Sequence, residues 1–306
     1  VGQGGIEQAF EQVLRGTPGR EVVARDNTGQ AIPGERYVFE PPKSGGDIVL
    51  TLDMDLQEIA RQALQESILE TEARGGDVLV TVPSTGEILA LVSIRDGKTA
   101  SLSAINTPYE PGSTLKPFTV SGLIKNDLAS LEDTVDVENG TWTVAGRTLH
   151  DVHSQGRMSI ADALRVSSNV GIAKAASRMS TRMLYETFRD FGFGTQTGIQ
   201  IPGEVSGTLR KPESWSSQSP VSLAIGYEVS VTPLQMAMAY GALANGGRLM
   251  QPLLVKKILE SDGSLKQQFE PHMVRQVIPE EIVSRVGRVL VDVVEDGTGT
   301  SAQLGT

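Results

Sequence analysis

The chain has 306 residues, of which 39% are hydrophobic and 21% charged, values typical of a globular protein with one large domain or two smaller ones. Its formal net charge of −10 argues against nucleic acid as a main partner, because the phosphate backbone rewards clustered Lys and Arg. The sequence contains no cysteine, which excludes disulfides, thiol nucleophiles and cysteine-based zinc sites.

The first segment, residues 1–46, is short and rich in turns. Its pattern predicts a helix over Ile6–Leu14, a β-hairpin across Asn27–Gly29 and then a linker. A segment of this size buries little core alone. The sequence shows no apolar run as long as a membrane span and no signal peptide at the first residue.

The next segment predicts a helix packed on an antiparallel sheet. A strand at "DIVLTL" leads to Asp53 as an N-cap and to an amphipathic helix, whose apolar face carries Leu56, Ile59, Ala63 and Leu64. In "GDVLVTVPSTGEILALVSI", two strands flank "PSTGE", a combination typical of a hairpin. The predicted class is therefore α+β.

From Tyr109 to about Asn245 the pattern is mainly helical. The periodic segments begin at Ser113, Ser159, Thr181 and Thr232, and most end on Gly, as helix caps predict. A last helix, "IPEEIVSRVGRVLVDVVEDGTG", has Pro in its first turn and Gly just past its end.

Ser113 and Lys116 stand out at the start of the first of these helices, in "YEPGSTLKPF". A spacing of three places both side chains on one helical face. Burial and the helix N-terminus favour a neutral amine over an ammonium ion, and a neutral lysine activates a serine hydroxyl as a general base. An ordinary helix start with a solvated cation is the competing interpretation of Ser-x-x-Lys alone.

A second polar group, Ser167, Ser168 and Asn169, interrupts the apolar segment "RVSSNVGIAK". Buried polar side chains need hydrogen-bond partners. One interpretation is a helix–helix hydrogen bond. The other is a functional pair, in which a serine relays a proton and an amide orients a substrate.

Together, "PGSTLK" and "SSN" resemble the active-site motifs of penicillin-binding proteins and serine β-lactamases. The surrounding segments "DIVLTLDMDLQ", "FGFGTQTGIQIPGEVSG" and "AIGYEVSVTPLQMAMAYGALANGG" are similar to class B penicillin-binding proteins, the monofunctional peptidoglycan transpeptidases. Glu110 in "YEPGS" resembles the cell-division type, FtsI. The resemblance runs over nearly the whole chain.

This resemblance implies a penicillin-binding-protein/serine β-lactamase-like transpeptidase fold with a sheet subdomain and a helical subdomain. Residues 1–46 would be the remnant of an N-terminal non-catalytic domain with its linker, and residues 47–306 the transpeptidase domain. Ser113 would be the acylated nucleophile, Lys116 its base and Ser167 the proton relay. Asn169 would bind the amide of the stem peptide, and Trp142 and Tyr227 would border the substrate cleft.

The family's third motif, a K-[ST]-G strand, has no counterpart after "GTGTSAQLGT" in this sequence. The triplet Lys43-Ser44-Gly45 precedes the first sheet strand and is interpreted as a turn. Family resemblance assigns half of the oxyanion hole to the Ser113 N–H and half to the third-motif strand. The expectation is therefore a C-terminally incomplete domain that by itself is acylated slowly or not at all.

The implied reaction is attack of Ser113 on D-Ala-D-Ala, release of D-Ala and transfer of the acyl group to a neighbouring peptidoglycan strand. β-Lactams would acylate the same serine. No cofactor, metal or nucleic acid is implied; the partners would be stem peptides, β-lactams and membrane proteins of the division complex. The expected location is the outer face of the bacterial cytoplasmic membrane, with an N-terminal anchor that this sequence lacks.

Two alternatives remain at this point. The first is hydrolysis, as a D,D-carboxypeptidase or a β-lactamase, and the second is a non-catalytic scaffold or β-lactam sensor. His150 and His153 flank Asp151 and could suggest a metal site, but without a third ligand a polar loop is the simpler interpretation. For Trp142 and Tyr227, core packing is the alternative to a role in the cleft.

Overall fold

The computed structural model describes residues 2–99, 102–152 and 156–304. The α-helices of these residues are α1 (Gly5–Ala9), α2 (Glu11–Leu14), α3 (Met54–Thr71), α4 (Ser103–Asn106), α5 (Lys116–Lys125), α6 (Ile160–Arg165), α7 (Asn169–Ala176), α8 (Thr181–Asp190), α9 (Ser219–Ala224), α10 (Pro233–Ala244) and α11 (Glu280–Asp296). The β-strands are β1 (Arg20–Arg25), β2 (Ala31–Glu40), β3 (Asp47–Leu50), β4 (Gly75–Thr81), β5 (Ile88–Arg95), β6 (Thr134–Asp136), β7 (Thr141–Val144), β8 (Arg147–His150), β9 (Arg157–Ser159), β10 (Arg248–Met250), β11 (Val255–Leu259), β12 (Leu265–Gln268) and β13 (Met273–Gln276).

This mixture of helices with antiparallel strand pairs confirms the predicted α+β class. The chain divides into two compact units. Unit 1 contains residues 2–52, Ile199–Pro202 and Leu253–Glu270, and unit 2 contains the rest of the described chain. Within the described ranges, every helix is too short or too polar to cross a membrane.

Unit 1 consists of two antiparallel arrangements. The predicted hairpin is confirmed: β1 pairs with β2, and the Asp26 carboxylate accepts the backbone N–H groups of Thr28 and Gln30 in the connecting turn, at 2.8 and 2.9 Å. A second sheet has the strand order β12-β11-β3. Its centre is β11, so a strand from late in the chain joins β3 to the unit.

In unit 2, the predicted hairpin over "PSTGE" is confirmed as the antiparallel pair β4 and β5. Helix α3 packs on this pair through a small apolar cluster of Ala60, Leu64, Ala90, Val92 and Ile94. Asp53 caps α3 as predicted, since its carboxylate accepts the N–H groups of Asp55 and Leu56, each at 3.0 Å.

Helix α5 is the buried centre of unit 2, and all residues from Lys116 to Ile124 are buried. The ring of Phe118 makes edge-to-face contacts with three other aromatic rings, at centroid distances of 4.7, 5.2 and 5.1 Å, from Phe191, Phe193 and Tyr240. Burying a side chain of this size stabilises the fold by about 1.5–3 kcal/mol. Helix α5 is therefore a rigid element that can hold site residues in place.

Two predicted helices differ from the structure, although Ser159 caps α6 as expected. Ser113 is not a helix cap, because a 3₁₀ turn over Gly112–Leu115 precedes α5. The segment from Ser159 is not one helix: it breaks after Arg165 and resumes at Asn169. The break arises because Ser167 has a left-handed backbone (φ 58°) and Ser168 then caps α7 by accepting the N–H of Gly171.

Candidate active site

The 3₁₀ turn over Gly112–Leu115 presents the Ser113 hydroxyl at the surface, directly before the buried helix α5. Side chains three residues apart eclipse one another in a 3₁₀ turn, so Ser113 and Lys116 lie on the same side. Pro117 occupies the first turn of α5, where its missing N–H removes no helical hydrogen bond. An exposed hydroxyl thus lies one turn before a buried amine.

Lys116 is almost completely buried, with 1% of its accessible surface exposed. Its Nζ donates to the Ser167 carbonyl oxygen at 2.6 Å, the Ser167 hydroxyl at 3.1 Å and the Asn169 side-chain oxygen at 2.8 Å. Burial lowers the pKa of Lys116 to about 8, and the negative charge of Asp151 partly opposes this shift. A fraction of the amine is therefore neutral near physiological pH and able to accept a proton.

Ser167 owes its position to the break between α6 and α7. Its left-handed backbone turns its carbonyl oxygen and its hydroxyl toward Lys116. A non-glycine residue in this conformation costs about 1–3 kcal/mol and is found where surrounding structure enforces it. The two serines consequently have different tasks: Ser168 caps α7, and Ser167 contacts the amine.

Asn169 is the first residue of α7, and both the oxygen and the NH₂ group of its side-chain amide form hydrogen bonds. Its oxygen accepts from Lys116, and its NH₂ group donates to the carbonyl oxygen of His150 at 2.9 Å. The structure thus brings four of the predicted residues together: Lys116 contacts Ser167 and Asn169 directly, and Ser113 lies one 3₁₀ turn before it.

The other two predicted site residues lie in separate contacts. Trp142, on β7, has the ammonium group of Lys174 over its ring at 5.3 Å from the centroid. Tyr227 is 42% exposed and follows Gly226, whose carbonyl oxygen accepts the N–H of Gly112 at 3.0 Å. Tyr227 is therefore next to the 3₁₀ turn that carries Ser113, whereas Trp142 contacts Lys174 of α7.

Asp151 was missed by the sequence interpretation, which considered it only between two histidines. Its carboxylate accepts hydrogen bonds from the Ser168 hydroxyl and from the N–H groups of Asn169 and Val170. His153 lies outside the described residues. In the described part of the chain, no group of three or more His, Cys, Asp or Glu side chains could hold a metal ion.

The buried amine predicts a pH-dependent reaction at Ser113. Because the lowered pKa of Lys116 is about 8, the neutral form predominates above that pH and its fraction decreases as the pH falls through it. We expect the acylation rate to fall about tenfold per unit below this pKa and to level off above it. Rates of β-lactam acylation between about pH 6 and about pH 10 measure this; a flat profile over that range would contradict the role of Lys116.

The close contact of Gly226 with Gly112 predicts that the 3₁₀ turn carrying Ser113 requires a glycine at position 226. Its φ is 88°, and a Cβ there would collide with the carbonyl oxygen of Gly112. Gly203 is a matched control, with a φ of 93° and open space around its Cβ position. We expect Gly203→Ala to lower the free energy of unfolding by about 1 kcal/mol through backbone strain alone, and Gly226→Ala by about 3 kcal/mol or more. Denaturant unfolding measures both; equal losses would contradict the collision.

Comparison with known proteins identifies two family matches. The family model described as the penicillin binding protein transpeptidase domain matches residues 76–306. The model described as the penicillin-binding protein dimerisation domain matches residues 1–50.

The chain is also similar in sequence to individual curated proteins. The chain is 31% identical over 308 residues to a probable peptidoglycan D,D-transpeptidase, PbpC, of Pseudomonas aeruginosa, covering 97% of this chain and 52% of that protein. It is 28% identical over 307 residues to the peptidoglycan D,D-transpeptidase FtsI of Buchnera aphidicola, covering 97% and 51%. The chain thus spans about half the length of these curated relatives.

Among solved structures, the chain is similar to penicillin-binding protein 3 of Mycobacterium tuberculosis in complex with aztreonam. The TM-score is 0.80 at 28% identity, covering 92% of this chain and 70% of that one. This similarity confirms the predicted penicillin-binding transpeptidase fold.

Proposed function

Because the chain belongs to the penicillin-binding protein transpeptidase family, we propose that it is a serine D,D-transpeptidase that cross-links the stem peptides of peptidoglycan. The observation that carries the proposal is the arrangement around Lys116. A buried amine, hydrogen-bonded to Ser167 and Asn169, lies one 3₁₀ turn from the exposed hydroxyl of Ser113.

Ser113 is the nucleophile of this proposed reaction. Neutral Lys116 takes the proton from the Ser113 hydroxyl as its oxygen attacks the carbonyl carbon of the penultimate D-Ala. The peptide bond to the terminal D-Ala breaks, and its nitrogen receives a proton through the hydroxyl of Ser167. The Ser113 ester then carries the acyl group.

The second half of the reaction reverses these proton transfers. An amine of a neighbouring stem peptide attacks the ester carbonyl and loses a proton to Lys116, and the new peptide bond releases the Ser113 hydroxyl. Asn169 is suited to bind the amide of the donor peptide, since its side chain is held at the same site. Tyr227 and Trp142 would border the cleft.

β-Lactams fit the same scheme as covalent inhibitors. Ser113 would open the lactam ring, and the ring nitrogen would stay tethered to the acyl group, so no leaving group departs. The negative oxygen formed at each attack needs hydrogen-bond donors. We assign one donor to the backbone N–H of Ser113, which lies in the 3₁₀ turn.

The triplet Lys43-Ser44-Gly45 belongs to unit 1, where Lys43 forms a β-bridge with Thr17. The structure assigns no turn to these three residues, so the interpretation of the triplet as a turn is wrong. The slow acylation expected from the sequence stays a prediction, and the second-order rate constant for labelling by benzylpenicillin measures it.

We further propose that the enzyme works in cell division, at the outer face of the cytoplasmic membrane and with other division proteins. The support is the similarity to a relative named FtsI and the sequence "YEPGS" before the nucleophile. Depletion of the gene product tests this role: filamentous cells without completed septa support it, and rounded cells that still divide contradict it.

The test of the reaction itself separates transfer from hydrolysis. A synthetic stem peptide ending in D-Ala-D-Ala is incubated with the chain, with and without an added D-amino acid as acceptor, and the products are followed by mass spectrometry. The proposal predicts D-Ala release and a peptide carrying the acceptor. Release of D-Ala with only the shortened peptide acid as the other product would indicate a carboxypeptidase. Unchanged peptide despite β-lactam labelling would indicate a non-catalytic binder.

A further inference from the structure

Asp151 lies directly after β8, in the segment that leads away from the β7–β8 hairpin. Its own backbone is fixed, because its N–H donates to the carbonyl oxygen of Gly140 at 2.9 Å. The side chain is half-buried and directed at the N-terminal end of α7, where its carboxylate accepts three hydrogen bonds.

One carboxylate oxygen holds the helix backbone. Oδ1 accepts from the N–H of Asn169 at 2.6 Å and from the N–H of Val170 at 3.0 Å. These N–H groups have no partner within a helix, and a negative charge beside them is stabilised by the helix dipole. The preceding residue, His150, holds the side-chain amide of Asn169, so the end of β8 fixes Asn169 at two points.

The other oxygen orients Ser168. The hydroxyl of Ser168 accepts the N–H of Gly171 at 2.8 Å, and its single hydrogen is donated to Oδ2 of Asp151. Ser168 is therefore locked between the helix and the carboxylate. Its neighbour Ser167 is the residue with the left-handed backbone that receives the Lys116 amine.

The carboxylate of Asp151 also acts on Lys116 through its charge, favouring the ammonium form against the effect of burial. Other charged side chains on this part of unit 2 are engaged in their own pairs: Lys125 with Asp190, Arg165 with Asp162 and Asp296, Lys174 with Glu138, and Arg285 with Glu132. On the hairpin itself, Arg147 stacks over Tyr227 and the His150 ring lies beside Thr141.

From these contacts we propose that Asp151 is a positioning residue of the site. Its carboxylate holds Ser167 and Asn169 where they meet the Lys116 amine, and it supplies the counter-charge for the ammonium ion that forms when Lys116 takes the Ser113 proton. The inference rests on the proposed acyl transfer for its effect on rate, but its effect on Lys116 is independent of that reaction.

Replacement of the carboxylate by the isosteric amide removes the charge but keeps the contact with the helix backbone. In Asp151→Asn the side-chain oxygen still accepts from the N–H groups of α7, whereas the charge is removed and the amide nitrogen cannot accept the Ser168 hydroxyl. We expect the pKa of Lys116 to fall and the acid limb of the acylation profile to move to lower pH. The plateau rate should drop about tenfold, because a weaker base is a poorer catalyst.

Asp151→Ala removes both the charge and the hydrogen bonds to α7. We expect the acylation rate to fall about 100-fold, because Ser167 and Asn169 are displaced. Asp151→Ser is a second neutral capping variant for use if the Asn variant is unstable. The matched control is Asp292→Asn, which removes the same charge from an exposed position on α11.

The deciding measurement is an NMR titration of the Lys116 amine in protein with labelled lysine side chains, assigned with Lys116→Arg. A lower Lys116 pKa in Asp151→Asn, unchanged in Asp292→Asn, supports the proposal. An unchanged Lys116 pKa in Asp151→Asn overturns it and leaves Asp151 as a helix cap alone. Because this titration needs no β-lactam, it decides the role of Asp151 even if the unmodified chain is not acylated.

Discussion

Ser113→Ala is expected to abolish labelling by a fluorescent penicillin and to leave the fold intact. The hydroxyl of Ser113 is exposed on a 3₁₀ turn, so its removal opens no cavity, and the free energy of unfolding should change by less than about 0.5 kcal/mol. Labelling in a denaturing gel and thermal unfolding measure the two effects.

Thr114→Ala is the matched control for this experiment, since it removes the neighbouring hydroxyl of the same turn, which donates to the carbonyl oxygen of Pro111 at 2.7 Å. It should keep its labelling. Equal labelling of Ser113→Ala and the unmodified chain would mean that another nucleophile, for example Ser167, forms the adduct.

Lys116→Met is expected to lower the acylation rate by about 10²–10⁴-fold, the range that a general base contributes. Lys116→Arg should be nearly as inactive, because a guanidinium keeps the charge but does not give up its proton. Lys116→Met leaves the acceptors on Ser167 and Asn169 without their donor, and Lys116→Arg crowds the buried site. We therefore expect each change to lower the free energy of unfolding by about 1–3 kcal/mol.

Lys125→Met controls for the loss of a lysine from the same helix. Lys125 is the last residue of α5 and pairs with Asp190 near the surface, so its replacement should leave the acylation rate unchanged. A Lys116→Arg variant that is acylated within about threefold of the unmodified rate would exclude Lys116 as the base.

The parts of the fold that could be predicted are those specified by a few consecutive residues. Asp53 and Thr232 cap α3 and α10 as expected, because a side-chain oxygen and the next two or three N–H groups suffice for a cap. The helix between Pro279 and Gly297 was predicted from its two ends. The pairing of β3 with β11 could not be found in this way, since it joins segments about 200 residues apart.

The site was predicted in part for the same reason. The spacing of Ser113 and Lys116 is local, and it is the basis of their assignment. The 3₁₀ turn that carries Ser113 depends on contact between Gly112 and Gly226, and no pattern around residue 112 indicates that contact. Asp151 reaches Asn169 because the β7–β8 hairpin ends beside α7, so "LHDVHS" alone pointed only to a loop or a metal ligand.

The break at Ser167 is the local feature that was open to prediction and was missed. A run of Ser-Ser-Asn within an apolar helical pattern favours a helix end followed by a new N-cap, because short polar side chains compete for backbone N–H groups. Reading Ser168 as a cap would have placed the break and turned Ser167 outward from the helix. The cleft roles of Trp142 and Tyr227 stay predictions.

The measurement that tests the account most directly is the intact mass of the chain after incubation with benzylpenicillin for hours, followed by peptide mapping of any adduct. The account predicts one adduct with the mass of the whole antibiotic, located on the peptide that contains Ser113. An adduct mapped to a different residue would contradict the assignment of Ser113 as the acylated nucleophile.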